Sequence, residues 1–152
     1  MTEELASMIP FLVRAKRQTY AAGTLPGGSS RPSSHDLPYR EGDWLYIDTY
    51  LGGIHVIGEE AVWLVDRPVW GMNYYGWMLV DEIPEGFSAF LKEALLQVPE
   101  QAPYRGPQDF SVGLFAYACR WEGEVGCFRG DESILYKDAV IYRLNSHGGR
   151  IS

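Results

Sequence analysis

The sequence has few of the residues, and none of the motifs, that mark a disulfide-rich, metal-binding or membrane-spanning protein. It contains 2 cysteines, too few for a disulfide scaffold, and 3 histidines, with no HxH, HxxxH or CxxC spacing. No apolar run approaches the roughly 18 residues that a membrane-crossing helix needs. The chain starts with Glu3 and Glu4 rather than the basic segment of a secretory signal. These absences predict a cytoplasmic protein with no metal site and no membrane contact.

The glycines and the charge also argue against nucleotide and nucleic-acid binding. The glycine pairs at 27–28, 52–53 and 148–149 lack the context of a GxxxxGK[ST] or GxGxxG motif, so they are more simply turn residues. The net charge is −7, and an acidic surface repels phosphate backbones. We therefore expect no nucleic-acid partner for this chain alone, and no motif identifies a cofactor.

The composition is that of a globular protein with much sheet. The chain has 152 residues, of which 46% are hydrophobic and 14% aromatic, with 17 glycines. This length fits a single domain over residues 1–152, and the aromatic and glycine content favours strands and turns over a helical bundle.

The most distinctive segment is the aromatic stretch 42–77, which contains four of the five tryptophans. Strand alternation from Asp43 places Leu45, Ile47, Thr49 and Leu51 on one face, predicted to be plain core. The opposite face carries three aromatic residues and one carboxylate, and is predicted to line a ligand groove or to pack under a covering element. Its members are Trp44, Tyr46, Asp48 and Tyr50.

Two helices are predicted from the spacing of apolar residues. The first spans about 2–20, with Thr2 as its cap, and Pro10 either kinks it or marks its start. Its basic residues Arg14, Lys16 and Arg17 suit the negative end of the helix dipole. The second helix spans 85–98 and is expected to cover one face of the sheet.

Seven strands are predicted around these helices. A meander runs over 43–51, 55–65 and from Pro68 through Tyr74, with turns at Gly52–Gly53 and at Asp66–Arg67. A second region contains strands at 110–121, 125–129, 133–136 and 139–146, with turns at 122–123 and 137–138. The predicted fold is α+β: a curved antiparallel sheet of about six to seven strands with two helices packed on one face. Cys119 and Cys127 are expected to be free thiols.

Two stretches of polar residues leave their roles open. Residues 23–42 are rich in glycine, serine and proline, which indicates either a flexible linker or an ordered site loop. Asp48, Glu59 and Glu60 lie among aromatic residues, where a carboxylate has a raised pKa and can act as a general acid. The alternative is that these carboxylates only satisfy loop amides or arginines.

Several motifs resemble a known family. The runs SSRPSSHDLPYREGDWLYIDTYLGG, GEEAVW, RPVWGMNYYG, PYRGP and HGG resemble an uncharacterised bacterial domain family, found alone or behind a helix-turn-helix of the xenobiotic-response-element type. The family lends context but no activity, and this chain lacks the helix-turn-helix. The resemblance marks Arg31, Ser34, His35, Asp36, Tyr39, Asp48, Tyr50, Glu59, Glu60, Trp70, Asn73, Tyr74, Tyr104, Arg105, His147 and Gly148.

These marked positions, if they converge on one cleft, define three functional hypotheses. The first is a small-molecule-binding or sensing domain, whose cleft has the stretch 42–77 as its floor and the loops 23–42 and 99–109 and the tail at His147 as its walls. The second is a small hydrolase-like enzyme with a carboxylate–histidine pair; whether the protein is an enzyme stays open. The third is an accessory module or homodimer with aromatic residues at its interface. The catalytic candidates are His35, Asp48, Glu60 and His147. The predicted ligand-binding residues are Arg31, His35, Asp36, Tyr39, Tyr46, Asp48, Tyr50, Glu60, Trp70, Asn73, Tyr74, Arg105 and His147.

Overall fold

The computed structural model describes residues 1–152 as two helices and eight strands. In chain order the elements are α1 (Glu3–Gln18), β1 (His35–Glu41), β2 (Trp44–Gly52), β3 (Val56–Leu64), β4 (Arg67–Met78), α2 (Phe87–Leu96), β5 (Asp109–Val112), β6 (Phe115–Glu124), β7 (Cys127–Tyr136) and β8 (Ala139–Arg150). One antiparallel sheet contains all eight strands in the order β1-β2-β3-β4-β8-β7-β6-β5. The predicted α+β class is confirmed, whereas the predicted number of six to seven strands is wrong.

The strand count differs because local composition misplaced three boundaries. Residues 35–41, which were assigned to a loop or linker, form the edge strand β1; an edge position tolerates Pro38, which has no N–H to donate. A turn at Gly113–Leu114 divides the predicted strand 110–121 into β5 and β6. The predicted strands 125–129 and 133–136 are one continuous strand, β7.

The hairpin turns set which residues face each other. Lys137 and Asp138 have positive φ angles of 49° and 66°, as the mirror-image turns of tight hairpins require, and this turn was predicted correctly. The other such turn lies at 65–66, one residue before the predicted position. The loop after β2 has three residues, 53–55, so the predicted two-residue turn at Gly52–Gly53 is wrong. The predicted turn at 122–123 is also wrong, because β6 and β7 connect through residues 125–126.

Both helices were predicted from their apolar spacing, and both exist. The Thr2 hydroxyl accepts a hydrogen bond from the Leu5 amide at 3.3 Å, and α1 continues without interruption through Pro10. Leu12 of α1 and Leu91 of α2 belong to one core that also includes the sheet residues Tyr46 and Leu144. No helix in the structure has the length and apolar character needed to cross a membrane.

The two faces of β2 are reversed relative to the prediction. Tyr46 and Asp48 are buried toward the helices, whereas Leu45, Ile47 and Thr49 are only half-buried on the opposite face, here called the outer face. The aromatic face therefore packs under a covering element, and the apolar face that was predicted to be plain core is the outer one. Alternation assigns residues to two faces, but it does not determine which face the helices cover.

The cysteines do not pair. Cys119 lies opposite Glu132, and Cys127 lies opposite Glu124, so the two side chains are well separated along the hairpin of β6 and β7. Both are free thiols, as predicted, with Cys119 buried and Cys127 exposed.

Candidate functional site

Two carboxylates lie side by side beneath the helices. Asp48 on β2 is the register partner of Glu60 on β3, so the two side chains project from the same face of the sheet. Only 4% of Asp48 and 3% of Glu60 is exposed. Burying two adjacent carboxylates is unfavourable unless nearby groups neutralise or hydrogen-bond them, and three other elements supply such groups.

The first of these groups is Lys16 on α1. Its ammonium forms a buried ion pair with Glu60 and donates a hydrogen bond to the Tyr104 carbonyl at 2.7 Å. Burial lowers the pKa of the Lys16 ammonium, and the charge of Glu60 opposes that effect. Lys16 lies in the last turn of α1, where a cation suits the helix dipole as predicted, but its ammonium is also buried in an ion pair with Glu60, which was not predicted. Its spacing of four residues from Leu12 and eight from Met8, both fully buried, was the signal in the sequence that places it on the inner stripe.

The second group is the guanidinium of Arg105, in the loop between α2 and β5. It donates two hydrogen bonds to Glu132, from Nε at 3.0 Å and from Nη2 at 3.1 Å. The Tyr117 hydroxyl donates to Glu132 at 2.6 Å and accepts from the Gly106 amide at 2.8 Å. This network holds the loop against β6 and β7, so the guanidinium has a fixed position.

The third group is the phenol of Tyr74 on β4, which donates a hydrogen bond to Asp48 Oδ1 at 2.7 Å. Burial, together with the charge of Glu60, raises the pKa of Asp48 to about 7, although the Tyr74 hydrogen bond acts in the opposite direction. No protein group donates to the other oxygen, Oδ2. Since every side-chain oxygen sealed from solvent has a partner, Oδ2 keeps accessible surface in the space that Asp48 lines.

That space is a cleft of about 310 Å³ between the sheet and the helices. Aromatic, polar and aliphatic side chains line it, with two glycines at its mouth: Tyr20, His35, Asp48, Tyr50, Gly52, Gly53, Val56, Tyr74, Leu91, Arg105, Tyr142 and Leu144. A recess of about 20 Å³, room for about one water molecule, adjoins it and leads to Lys16 and Glu60. Tyr20, Asp48 and Arg105 line both spaces.

Comparison with known proteins identifies the family. Residues 48–151 match the model of a family described as a domain of unknown function, DUF5680. The chain belongs to this family. No curated protein and no solved structure matches the chain. Lys16, Tyr20 and His35 lie outside the matched residues, in the part of the chain that precedes them.

The structure brings seven of the predicted site residues together. His35, Asp48, Tyr50, Tyr74 and Arg105 line the cleft of the DUF5680 domain, and the remaining two, Tyr46 and Glu60, line the adjoining recess. The His35 ring packs against the Tyr50 ring with centroids 4.8 Å apart, so this histidine lies at the exposed rim of the cleft.

Three other predicted site residues lie elsewhere in the sheet. His147 and Asn73 are register partners on β8 and β4, and both are exposed on the outer face, opposite to Asp48. The expected wall at His147 is therefore absent, and Tyr20 after α1, Leu91 of α2 and His35 of β1 line the cleft instead. Trp70 is completely buried; its indole donates to the Val125 carbonyl at 2.8 Å.

The remaining predicted residues lie before β2, away from the cleft. Arg31 is exposed in the loop that precedes β1. Asp36 accepts hydrogen bonds from the Ser30 amide at 2.8 Å and from the Ser34 hydroxyl at 3.2 Å, which orders that loop. Tyr39 packs against Phe11 of α1, with ring centroids 5.9 Å apart. Asp36 and Tyr39 therefore make structural contacts, Arg31 is exposed, and His35 is the residue of the segment 23–42 that lines the cleft.

Nothing in the site suggests a preformed metal centre. No group of three or more histidine, cysteine, aspartate or glutamate side chains is arranged to hold a metal ion. Glu132 is a residue of the Arg105 network that was not predicted, because its position fell in the gap between two predicted strands. Its alternation with the buried Phe128 and Ile134 was the available signal.

Proposed function

We propose that this DUF5680 domain binds a small organic molecule in the cleft between the sheet and the helices. The observation that carries the proposal is the state of Asp48. This carboxyl is almost completely buried and lines the cleft; Tyr74 donates a hydrogen bond to one oxygen, and the other has no protein partner and keeps accessible surface. A largely buried carboxyl with one accessible, unpartnered oxygen offers a hydrogen-bond acceptor to a ligand, and packing alone would favour an apolar residue at this position.

The lining of the cleft supports the same proposal. Small-molecule sites combine apolar walls with a few fixed polar groups, and this cleft pairs Val56, Leu91 and Leu144 with Asp48 and Arg105. The polar groups are preorganised, since the hydrogen bonds from Tyr74 and to Glu132 hold them in place before a ligand enters.

The elements that supply the walls of the cleft support a sensing role. Tyr20 follows α1, Leu91 lies on α2, and the floor belongs to the sheet, so a bound molecule would contact all three. The ligand would thereby stabilise the position of both helices against the sheet. The resemblance to domains found behind helix-turn-helix regulators fits a cytoplasmic domain whose ligand occupancy is passed to a partner.

A thermal-shift screen with a matched pair of variants tests the binding proposal. Amines, amino acids, sugars, nucleotides and carboxylic acids are screened, and a ligand raises the melting temperature by mass action. Val56→Trp fills the cleft and abolishes the shift. Ile57→Trp introduces the same side chain one residue later, on the outer face, where Ile57 is 56% exposed, and it retains the shift. Equal shifts in both variants would refute binding in the cleft.

Acid–base catalysis at Asp48 is a second candidate function. A carboxyl with a pKa of about 7 in a cleft can donate or accept a proton near neutral pH. His35 at the rim is the nearest predicted histidine, whereas His147 lies across the sheet. Incubating each compound that binds with the protein and following its breakdown by mass spectrometry tests this candidate. Turnover that disappears in Asp48→Asn supports it, and intact compounds refute it.

A further inference from the structure

The buried charges beneath the helices do not balance. The cations are Lys16 and Arg105, and the carboxylates are Asp48, Glu60 and Glu132. Lys16 pairs with Glu60, and Arg105 pairs with Glu132 through two hydrogen bonds. Asp48 is the carboxylate left over: its one protein partner is the neutral phenol of Tyr74.

The missing partner of Asp48 has a definite chemistry. When Asp48 is ionised, the cluster carries two positive and three negative charges, so one further positive charge would neutralise it. Oδ2 accepts hydrogen bonds and cannot donate when ionised, which matches an ammonium group with its N–H donors. A carboxylate ligand would instead add a fourth negative charge near Asp48, at an electrostatic cost.

The aromatic walls suit the same group. Ring faces attract cations, and two rings of the cleft already do so: Lys92 Nζ lies 5.5 Å from the Tyr20 ring, and Arg105 Cζ lies 5.4 Å from the Tyr74 ring. The Tyr50 and Tyr142 rings also line the cleft, near its aliphatic residues. A ligand that combines one cation with an apolar body would use both kinds of surface.

We propose that the ligands of this cleft are small organic ammonium ions with an apolar body, bound with the ammonium on Asp48 Oδ2. This inference rests on the proposed function, because it names the class of molecule that the cleft would accept.

The groups around Asp48 determine the expected pH dependence. Glu60 of β3, Tyr74 of β4, Lys16 of α1 and Arg105 of the loop before β5 act on its charge. Tyr20, Tyr46 and Tyr50 also face it. Because the pKa of Asp48 is about 7 and the ligand ammonium stays protonated, we expect the affinity to rise about tenfold from pH 6 to pH 8.

Three probes of matched shape test the charge of the ligand directly. 2-Phenylethylamine, 2-phenylethanol and phenylacetate share one ring and differ in carrying a cationic, neutral or anionic head group. Their dissociation constants are measured by titration calorimetry or by amide chemical shifts of the wild-type protein. We expect the amine to bind at least tenfold more tightly than the alcohol, and phenylacetate to bind most weakly.

Variants locate the contact. Asp48→Asn keeps the shape and an acceptor for Tyr74 but removes the charge, so the preference for the amine over the alcohol is lost. Asp131→Asn removes an exposed carboxylate of the outer face and leaves that preference unchanged. Asp48→Asn also loses the tenfold pH dependence, which assigns that dependence to Asp48.

The contradicting results separate the two proposals. Tighter binding of phenylacetate or of the alcohol, blocked by Val56→Trp, overturns the ammonium class and leaves the ligand-binding function standing. Failure of the amine to bind at millimolar concentration also overturns the ammonium class. The ligand-binding function fails on the separate ground that no compound of the wider screen distinguishes Val56→Trp from Ile57→Trp.

Discussion

Replacing Lys16 by methionine isolates the energetics of the buried charge cluster. The methionine side chain has nearly the same length and lacks the charge, so Glu60 loses its ion pair while the core stays filled. Lys16 and Glu60 are both buried, and the recess beside them has room for only about one water molecule, which cannot replace the charge of the missing ammonium. The Tyr104 carbonyl also loses its 2.7 Å hydrogen bond.

The expected cost is large compared with the stability of a protein of this size. Removing one partner of a buried ion pair costs about 3–5 kcal/mol, out of a total free energy of unfolding of roughly 5–15 kcal/mol. The double variant Lys16→Met/Glu60→Gln removes both charges. Because no uncompensated charge is then buried, we expect it to recover at least half of the lost stability.

Urea unfolding followed by tryptophan fluorescence measures these differences. Lys137→Met, at an exposed hairpin turn, is the control, and we expect it to change the free energy of unfolding by less than about 0.5 kcal/mol. A Lys16→Met variant that unfolds like the control would refute the buried ion pair. So would a double variant that is less stable than Lys16→Met alone.

Three further predictions concern Asp48 and the packing of β4 against β8. Asp48→Asn should gain stability relative to the wild type as pH rises, because the aspartate ionises near pH 3.9 in the unfolded chain and only at about 7 in the folded protein. We expect the difference between the two free energies of unfolding, measured in urea, to grow by about 4 kcal/mol between pH 4 and pH 7.5. A constant difference would contradict this prediction. Tyr74→Phe removes the hydrogen bond to Oδ1 and should raise the pKa of Asp48 above about 7, which carboxyl ¹³C NMR measures; a lower value would contradict the assigned role. Gly148→Ala should lower the free energy of unfolding by at least about 2 kcal/mol, because its methyl group would lie 2.2 Å from the Gly71 carbonyl oxygen. The control is Gly28→Ala, which has open space around it. Equal stabilities of the two variants would refute the close approach.

Local sequence patterns were sufficient to predict the two helices, whose backbone hydrogen bonds form within the element. The apolar spacing and the cap at Thr2 identified α1, and the run that ends at Pro99 identified α2, although both predicted ranges were slightly too long. The edge strand β1 could not be identified in this way. Its composition indicates a loop, and its stability as a strand comes from pairing with β2.

The adjacency of Asp48 and Glu60 depended on one turn. With the predicted two-residue turn at Gly52–Gly53, Leu51 would pair with Ile54, and Asp48 would lie opposite Ile57. The three-residue loop observed instead pairs Gly52 with Val56, which brings Asp48 opposite Glu60. Glycines tolerate several turn geometries, so their presence alone did not determine the register.

The pairing of the buried charged residues could not be predicted from local sequence either. Arg105 and Glu132 are 27 residues apart, and Lys16 and Glu60 are 44 apart. Periodicity can place each side chain on an inner face, as it does for Lys16, but the pairing requires the packed helices and the complete sheet. The sequence therefore predicted many of the residues of the cleft and few of the contacts that determine its charge.

Backbone-amide chemical-shift mapping with a compound from the thermal-shift screen tests the central claim most directly. If the cleft is the binding site, the largest shift changes in the wild-type protein fall at Asp48, Tyr74 and Arg105, and they disappear in Val56→Trp. Changes centred on His147 and Asn73 would place binding on the outer face and contradict this account.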